Sequence, residues 1–205
     1  MNAAEPLLEL ICGRRSVRRF RAEPVDRKLL ARVIEAATWA PSAGNRQDWM
    51  FTVVVSEETR AAMADAVRRR WAEIVAANQG LGAIREVEAY AAGFADFARA
   101  PAVVVVSARR VDSIQKRLLG DDAAATAGGA TSAALAAGNL MLAAHALGLG
   151  TCCMTGALAA RAELQRVIGL GRRHEIVCLV AIGWPAETPG PPPRKPVEEV
   201  MRFLE

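Results

Sequence analysis

Metal-binding chemistry has little to build on in this sequence. The four cysteines, Cys12, Cys152, Cys153 and Cys178, form no CxxC pair, and the two histidines, His145 and His174, share no ligand spacing with them. A structural zinc site is therefore not expected. Three further signatures are missing. There is no GxxxxGK[ST] and no GxSxG, and neither the run from Gly148 to Cys153 nor that from Gly169 to His174 completes GxGxxG. P-loop chemistry, a serine-hydrolase elbow and a Rossmann site thus have no support. No segment repeats at a period of about 20 to 50 residues, which excludes solenoids and propellers. Lysine is scarce as well: 23 of the 26 basic residues are arginine, and the net charge is only +4. Arginine forks suit bidentate binding of phosphate or carboxylate. The tight basic clusters, Arg14 to Arg21 and Arg68 to Arg70, fall short of the dense stripe of a nucleic-acid binder.

The 52% hydrophobic and 23% charged fractions are those of a folded globular chain, and 205 residues suffice for one domain spanning 1–205. Ala123 to Ala160 contains no Asp, Glu, Lys or Arg, long enough to cross a bilayer. It is mostly Ala and Gly, with Thr126, Thr131, Ser132, Asn139 and His145 along it, so a helix buried in protein is expected and no membrane span. Met1 to Pro6 carries Glu5 and no apolar run, which predicts no secretory leader. Adjacent Cys152 and Cys153 would close a strained ring, so reduced thiols in a cytoplasmic protein are expected.

Periodicity sets out the elements. Pro6 starts a short helix stopping near Gly13, and Asp26 caps a helix with apolar residues at 29, 30, 33, 34 and 37. Pro41 to Asp48 is a polar loop before a strand at Phe51 to Val55. Glu57 to Val75 is helical with Arg68, Arg69 and Arg70 on a solvated face, and Gly80 to Ala98 reads as a second amphipathic helix. Ala102 to Val106, continuously apolar, predicts a strand covered on both faces. Asp122 is placed as the cap of a long small-residue helix reaching Leu147, where Gly129, Ala133 and Ala137 allow close packing. A strand at Thr151 to Met154, a helix at Leu158 to Ile168 and a strand at Ile176 to Trp184 follow. Six of the ten prolines lie between Pro185 and Pro196, an extended arm, and Val197, Val200, Met201 and Leu204 return to helical spacing.

Three segments carry polar residues that solubility does not require. In Arg14-Arg15-Ser16-Val17-Arg18-Arg19-Phe20, four guanidinium groups crowd a hydroxyl, which serves equally as a phosphate cradle or as a solvated basic turn. In Ala40 to Trp49, Ser42, Asn45 and Gln47 offer donors and acceptors suited to a heterocycle edge, although a loop capped for structural reasons needs the same residues. Gly148 to Gly156 joins a helix exit, a strand and a glycine where backbone must approach something closely. His145 reads as a hydrogen-bonded core histidine and His174 as a surface residue.

Taken together and in order, RRSVRRF at 14–20, APSAGNRQDW at 40–49, GLGTCCMTG at 148–156, and Gly183-Trp184-Pro185 leading to Pro193-Arg194-Lys195-Pro196 resemble the nitroreductase family of FMN-dependent oxidoreductases over essentially the whole chain. The resemblance implies an α+β fold: a mixed sheet flanked by helices, with a long central Ala/Gly-rich helix and a C-terminal arm exchanged between subunits of a homodimer. FMN would lie at the interface. Arg14, Arg15 and Ser16 would hold its phosphate and ribityl end, and Arg18 its pyrimidine edge. Pro41, Ser42 and Asn45 would come from the partner chain, and Gln47 would sit close to the flavin. Thr155 and Gly156 match the turn against N5, and Arg194 the C-terminal phosphate contact. Asp48 stands where the family has a proline, and the flavin-edge contact expected from the helix after the first strand has no assigned residue between Asp65 and Asn78.

The implied activity is reduction of nitroaromatics, quinones or similar small planar, electron-poor acceptors by NADH or NADPH. It proceeds by ping-pong transfer through flavin N5, with no catalytic side chain and no metal. Trp71, Tyr90 and Phe94 are candidates for a lid over the substrate pocket, against the commoner core role of aromatics at helical spacing. Two alternatives stand beside this. The same fold and flavin would serve an enone reductase or a flavin-dependent dehydrogenase, and a dimeric non-catalytic binding or regulatory module would use the basic turns for nucleic acid.

Overall fold

The computed structural model describes residues 4–110 and 128–204. Helix α1 (Ala4–Gly13) opens the chain and buries none of its residues. Helix α2 (Arg27–Thr38) starts where Asp26 accepts from the amides of Lys28 and Leu29, and it buries Leu30, Val33 and Ala37. After a short 3-10 turn at Ala43–Asn45 come β1 (Trp49–Val54) and α3 (Glu57–Ala77), the latter capped by Ser56 with Glu57 and Glu58 in its first turn. Both acids suit the positive end of a helix. Next are α4 (Ile84–Ala91), a 3-10 stretch at Ala92–Arg99, and β2 (Ala102–Arg109). The central helix α5 (Gly128–Ala146) leads to β3 (Gly150–Met154), and α6 (Arg161–Val167) precedes β4 (His174–Gly183).

The four strands form one sheet in the order β1-β2-β4-β3, and every neighbouring pair is antiparallel. The sheet is thus antiparallel where a mixed one was expected, and an isolated parallel bridge joins Ser16 to Thr151 at the outer edge of β3. The inner strand β2 is buried from Ala102 to Ala108, as its apolar run predicts. On one face Val104, Val106, Cys178, Val180 and Ile182 pack against α2 and α5; on the other, Val103, Val105, Leu179 and Ala181 pack against α3, the 3-10 stretch and α6. The register slips between Val106 and Ser107, so that Val177 has no partner. A one-residue bulge reverses which face the next side chain meets. Ile176 therefore joins the α3 layer although Cys178 and Val180 belong to the α5 layer.

The small residues of α5 do what their spacing suggests. Gly129, Ala133, Ala136 and Ala137 are buried against α2 and the sheet, and a Cβ at Gly129 would stand 3.2 Å from the Arg109 carbonyl oxygen. The cap assigned to Asp122 lies outside the described residues. Three expected helices are corrected. The run from Gly80 to Ala98 is not one helix: α4 ends at Ala91 and the chain tightens into 3-10 turns from Ala92 to Arg99. The helix expected from Leu158 starts only at Arg161, after a 3-10 turn at Gly156–Ala160. The segment from Val197 to Leu204 keeps its spacing but forms only a 3-10 turn, Val197–Glu199, with no core beneath it. His174 is half-buried at the start of β4 rather than on the surface, and His145 is half-buried with its ring against Gly13.

Phe97, 1% exposed beneath α3, tests this packing. Replacing it with alanine is expected to lower the unfolding free energy by about 3–5 kcal/mol, and Asp26→Ala by about 1 kcal/mol. Urea denaturation midpoints check both, with the larger shift at Phe97.

Candidate functional site

The basic heptad lies along the open edge of the sheet. Arg14 continues α1 through an amide bond to the Leu10 carbonyl, 3.1 Å. The Arg15 guanidinium turns back to the carbonyls of Cys12, 2.6 Å, and Arg14, 2.9 Å, closing a helix end that attracts cations. The chain then runs beside β3: Ser16 bridges to Thr151, and the Val17 amide donates to the Thr151 carbonyl at 2.9 Å. Gly150 makes this approach possible, because a Cβ there would sit 2.8 Å from the Val17 side chain. Farther on, Phe20 pairs with Pro185, Arg21 donates to the Trp184 carbonyl and Ala186 donates to the Arg19 carbonyl. The Thr151 hydroxyl, buried under this segment, has no hydrogen-bond partner among the described residues.

Against the α3 side of this edge lies a cavity of about 370 Å³ lined by Arg18, Phe20, Tyr90, Phe94, Thr155 and Gly156 among others. Cys152 and Ala181, opposite each other in the β3–β4 register, also line it; their small side chains leave the space open. Phe94 and Tyr90 close it from above, with ring centroids 4.9 Å apart and edge to face. Tyr90 is 76% exposed. Trp71, grouped with them as a lid residue, instead stands behind Phe94 at 5.0 Å and donates its indole N–H to the Gly156 carbonyl at 3.0 Å. Phe94 occupies the space a Cβ at Gly156 would take, 2.4 Å from its ring. The Thr155–Gly156 turn is thus held from two sides, and Trp71 is the residue between Asp65 and Asn78 that reaches this end of the sheet.

Sequence reasoning assigned no role to the thiols here. Cys153 lines the cavity and is exposed. The neighbouring Cys178 thiol, opposed by burial and helped by the positive charge of Arg14, brings the Cys153 thiol down to about 7. Cys153 and burial push Cys178 far up. Burial also raises Cys152, while the positive charges of Arg18 and Arg14 pull it down.

The remaining sequence-predicted residues lie elsewhere in the protomer. The loop carrying Pro41, Ser42, Asn45 and Gln47 packs on the start of α5, where the Ala43 amide donates to Ser132 Oγ at 3.2 Å. It belongs to the β1 edge, three strand spacings or about 14 Å from β3. Asp48 accepts from the Arg46 Nε at 2.8 Å and gives its carbonyl to the Arg109 amide at 2.7 Å, so the turn forms without the proline. Three of its residues are left-handed, Gly44 (φ 59°), Asn45 (52°) and Gln47 (52°). Glycine and asparagine accept this readily, whereas glutamine is held there at some cost, in part by its amide bond to Ser42 Oγ at 3.1 Å. Arg194 is exposed on the proline-rich arm.

Cys153 is expected to react with iodoacetamide ahead of Cys152 and Cys178, its rate rising through a midpoint near pH 7 as the thiolate forms. Peptide mass mapping of briefly treated protein at several pH values checks the order. Gly156→Ala forces the Phe94 ring aside and is expected to cost about 1–3 kcal/mol; the same change in a Phe94→Ala background should cost clearly less, as read from denaturation midpoints.

Comparison with known proteins bears on the family and the fold. The chain is 33% identical over 217 residues to an NADH dehydrogenase of Thermus thermophilus, covering 98% of each. It superposes on a BluB-like flavoprotein from Clostridium difficile 630 with a TM-score of 0.84 at 24% identity, covering 97% of this chain and 99% of the other. It also superposes on the FMN- and NADPH-dependent nitroreductase NfnB of a sphigopyxis species with a TM-score of 0.73 at 27% identity, covering 97% and 99%. The nitroreductase family model matches residues 11–184, from the end of α1 to the residue after β4, and the chain belongs to that family.

Proposed function

We propose that this protein is an FMN-dependent NAD(P)H oxidoreductase that reduces nitroaromatics, quinones or similar planar, electron-poor acceptors. The observation that carries the reading is that Arg18 and the Thr155–Gly156 turn, remote in sequence, line one cavity beside the heptad. The donor set suits the cofactor. Arg14, Ser16 and Arg18 follow one strand edge, and Arg18 lines the cavity. Arginine forks and a hydroxyl serve a phosphate, and a fixed cation serves the electron-rich edge of a ring. When bound, FMN would supply the redox chemistry, passing a hydride equivalent from NADH or NADPH to the acceptor by way of N5.

The chain's own residues bind and orient. Arg14 and Ser16 hold the phosphate and ribityl end, whereas the Arg15 guanidinium is engaged on the end of α1. Arg18 stabilises negative charge at the pyrimidine edge. Trp71 and Phe94 fix the Thr155–Gly156 backbone, and exposed Tyr90 adjusts over the acceptor.

Residues 1–205 act as one domain, and the working unit is a homodimer that exchanges C-terminal arms. Pro41, Ser42, Asn45 and Gln47 belong to the sheet edge opposite the heptad and serve the cavity of a second copy, as Arg194 does from the arm. Unpartnered apolar surface supports this. Leu7, Leu8 and Ile11 of α1 and Leu135 of α5 are exposed, and Phe203 and Leu204 near the C-terminus are 78% and 80% exposed. Such surface marks an interaction face. No helix among the described residues is long and apolar enough to cross a membrane, and the four free thiols suit a reducing cytoplasm.

Purified protein is expected to be yellow or to quench flavin fluorescence on FMN titration, and its flavin absorbance to be bleached by NADH or NADPH in anaerobic stopped flow; a colourless chain that binds no FMN would refute the reading. Arg18→Ala is expected to weaken FMN binding about tenfold or more, in line with loss of a charged hydrogen bond, and to slow flavin reduction. Arg69→Ala on α3 is expected to leave both within twofold. Equal effects would remove the role given to Arg18.

A further inference from the structure

We infer that Glu187 is a positioning residue for Arg18, fastening the first turn of the C-terminal arm to the basic heptad; the inference rests on the FMN reading above. One carboxylate oxygen accepts from two successive amides, Arg18 at 2.7 Å and Arg19 at 3.0 Å. The other lies 3.9 Å from the Arg19 guanidinium, and the carboxylate side chain is 26% exposed. Two adjacent N–H groups converging on one anion form a backbone nest, a conformation stabilised by its negative guest. Around the nest the two segments pair: Phe20 bridges to Pro185, Arg21 donates to the Trp184 carbonyl, and Ala186 donates to the Arg19 carbonyl. The Arg18 amide bond holds the carboxylate below its ordinary range, with further lowering from the Arg19 amide and the two guanidinium charges. The guest therefore stays ionised at neutral pH.

The backbone of Arg18 is set by this carboxylate, so the direction in which its guanidinium leaves the chain depends on the arm. An arm passing to a second subunit places the charge at the pyrimidine edge of the flavin at the same time.

FMN titration followed by flavin fluorescence tests this on the full chain. Glu187→Ala is expected to raise the FMN dissociation constant about tenfold in the wild-type background, but less than twofold when Arg18 is already alanine, because Glu187 acts through Arg18. Glu187→Gln, which keeps the accepting oxygen and loses the charge, is expected to raise it about threefold. If Glu187→Ala fails to fold by circular dichroism, Glu187→Gln is compared in the same two backgrounds. Wild-type affinity in the Glu187 variants, or equal weakening in both backgrounds, overturns the inference and leaves the FMN reading standing. A wild-type protein that binds no FMN overturns both.

Discussion

An open strand edge must find partners for its amides and carbonyls, and in this protein the outer edge of β3 finds them in the residues of the basic heptad. The Val17 amide on the Thr151 carbonyl is a short backbone bond of ordinary strength, yet it decides where four guanidinium groups sit. Gly150 is the local condition, since any side chain there would hold Val17 off the strand. The arm then meets the same segment from the far side, so one stretch of seven residues is held by β3 at its start and by Trp184 to Glu187 at its end. A binding surface on an otherwise mobile basic turn thereby acquires the rigidity of a sheet, which is what orientation of a ligand requires.

The sheet also separates functions by face and by edge. Its α5 face is closed by small residues and carries packing. The α3 face ends in the cavity, because Cys152 and Ala181 are too small to fill the space below the aromatic residues. Burial there raises the Cys152 thiol, whereas that of Cys153, the next residue along β3, is lowered beside Cys178.

Much of this is legible in the sequence wherever the cause is local. Asp26 before an apolar stripe, the continuous run from Ala102 to Val106 and the Ala/Gly stripe of α5 each specify their element and its buried face. What depends on remote partners is not legible. The spacing of Gly80 to Ala98 is compatible with α and 3-10 turns alike, and Phe94 within the 3-10 stretch meets a partner, Gly156, that is remote in sequence. The bulge at Val177 has no composition signal, because it is set by pairing with β2. The spacing of Val197 to Leu204 describes an apolar face without a core to receive it, and no helix forms. At the site, the heptad and the Thr155–Gly156 turn were marked by their residue types. The support given by Trp71 and Glu187 was hidden in an ordinary helix and a proline-rich stretch, since nothing within a few residues of either one records what it touches.

The packing of Phe94 into the void at Gly156 limits how this cavity can diverge. A side chain at position 156 and a large ring at position 94 are mutually exclusive, so the two sites must change as a pair if the backbone is kept. Tyr90, which meets only the edge of that ring and is otherwise solvated, is free of the restriction. Change in what the cavity admits is thereby channelled toward the rim, and the turn beneath it stays fixed.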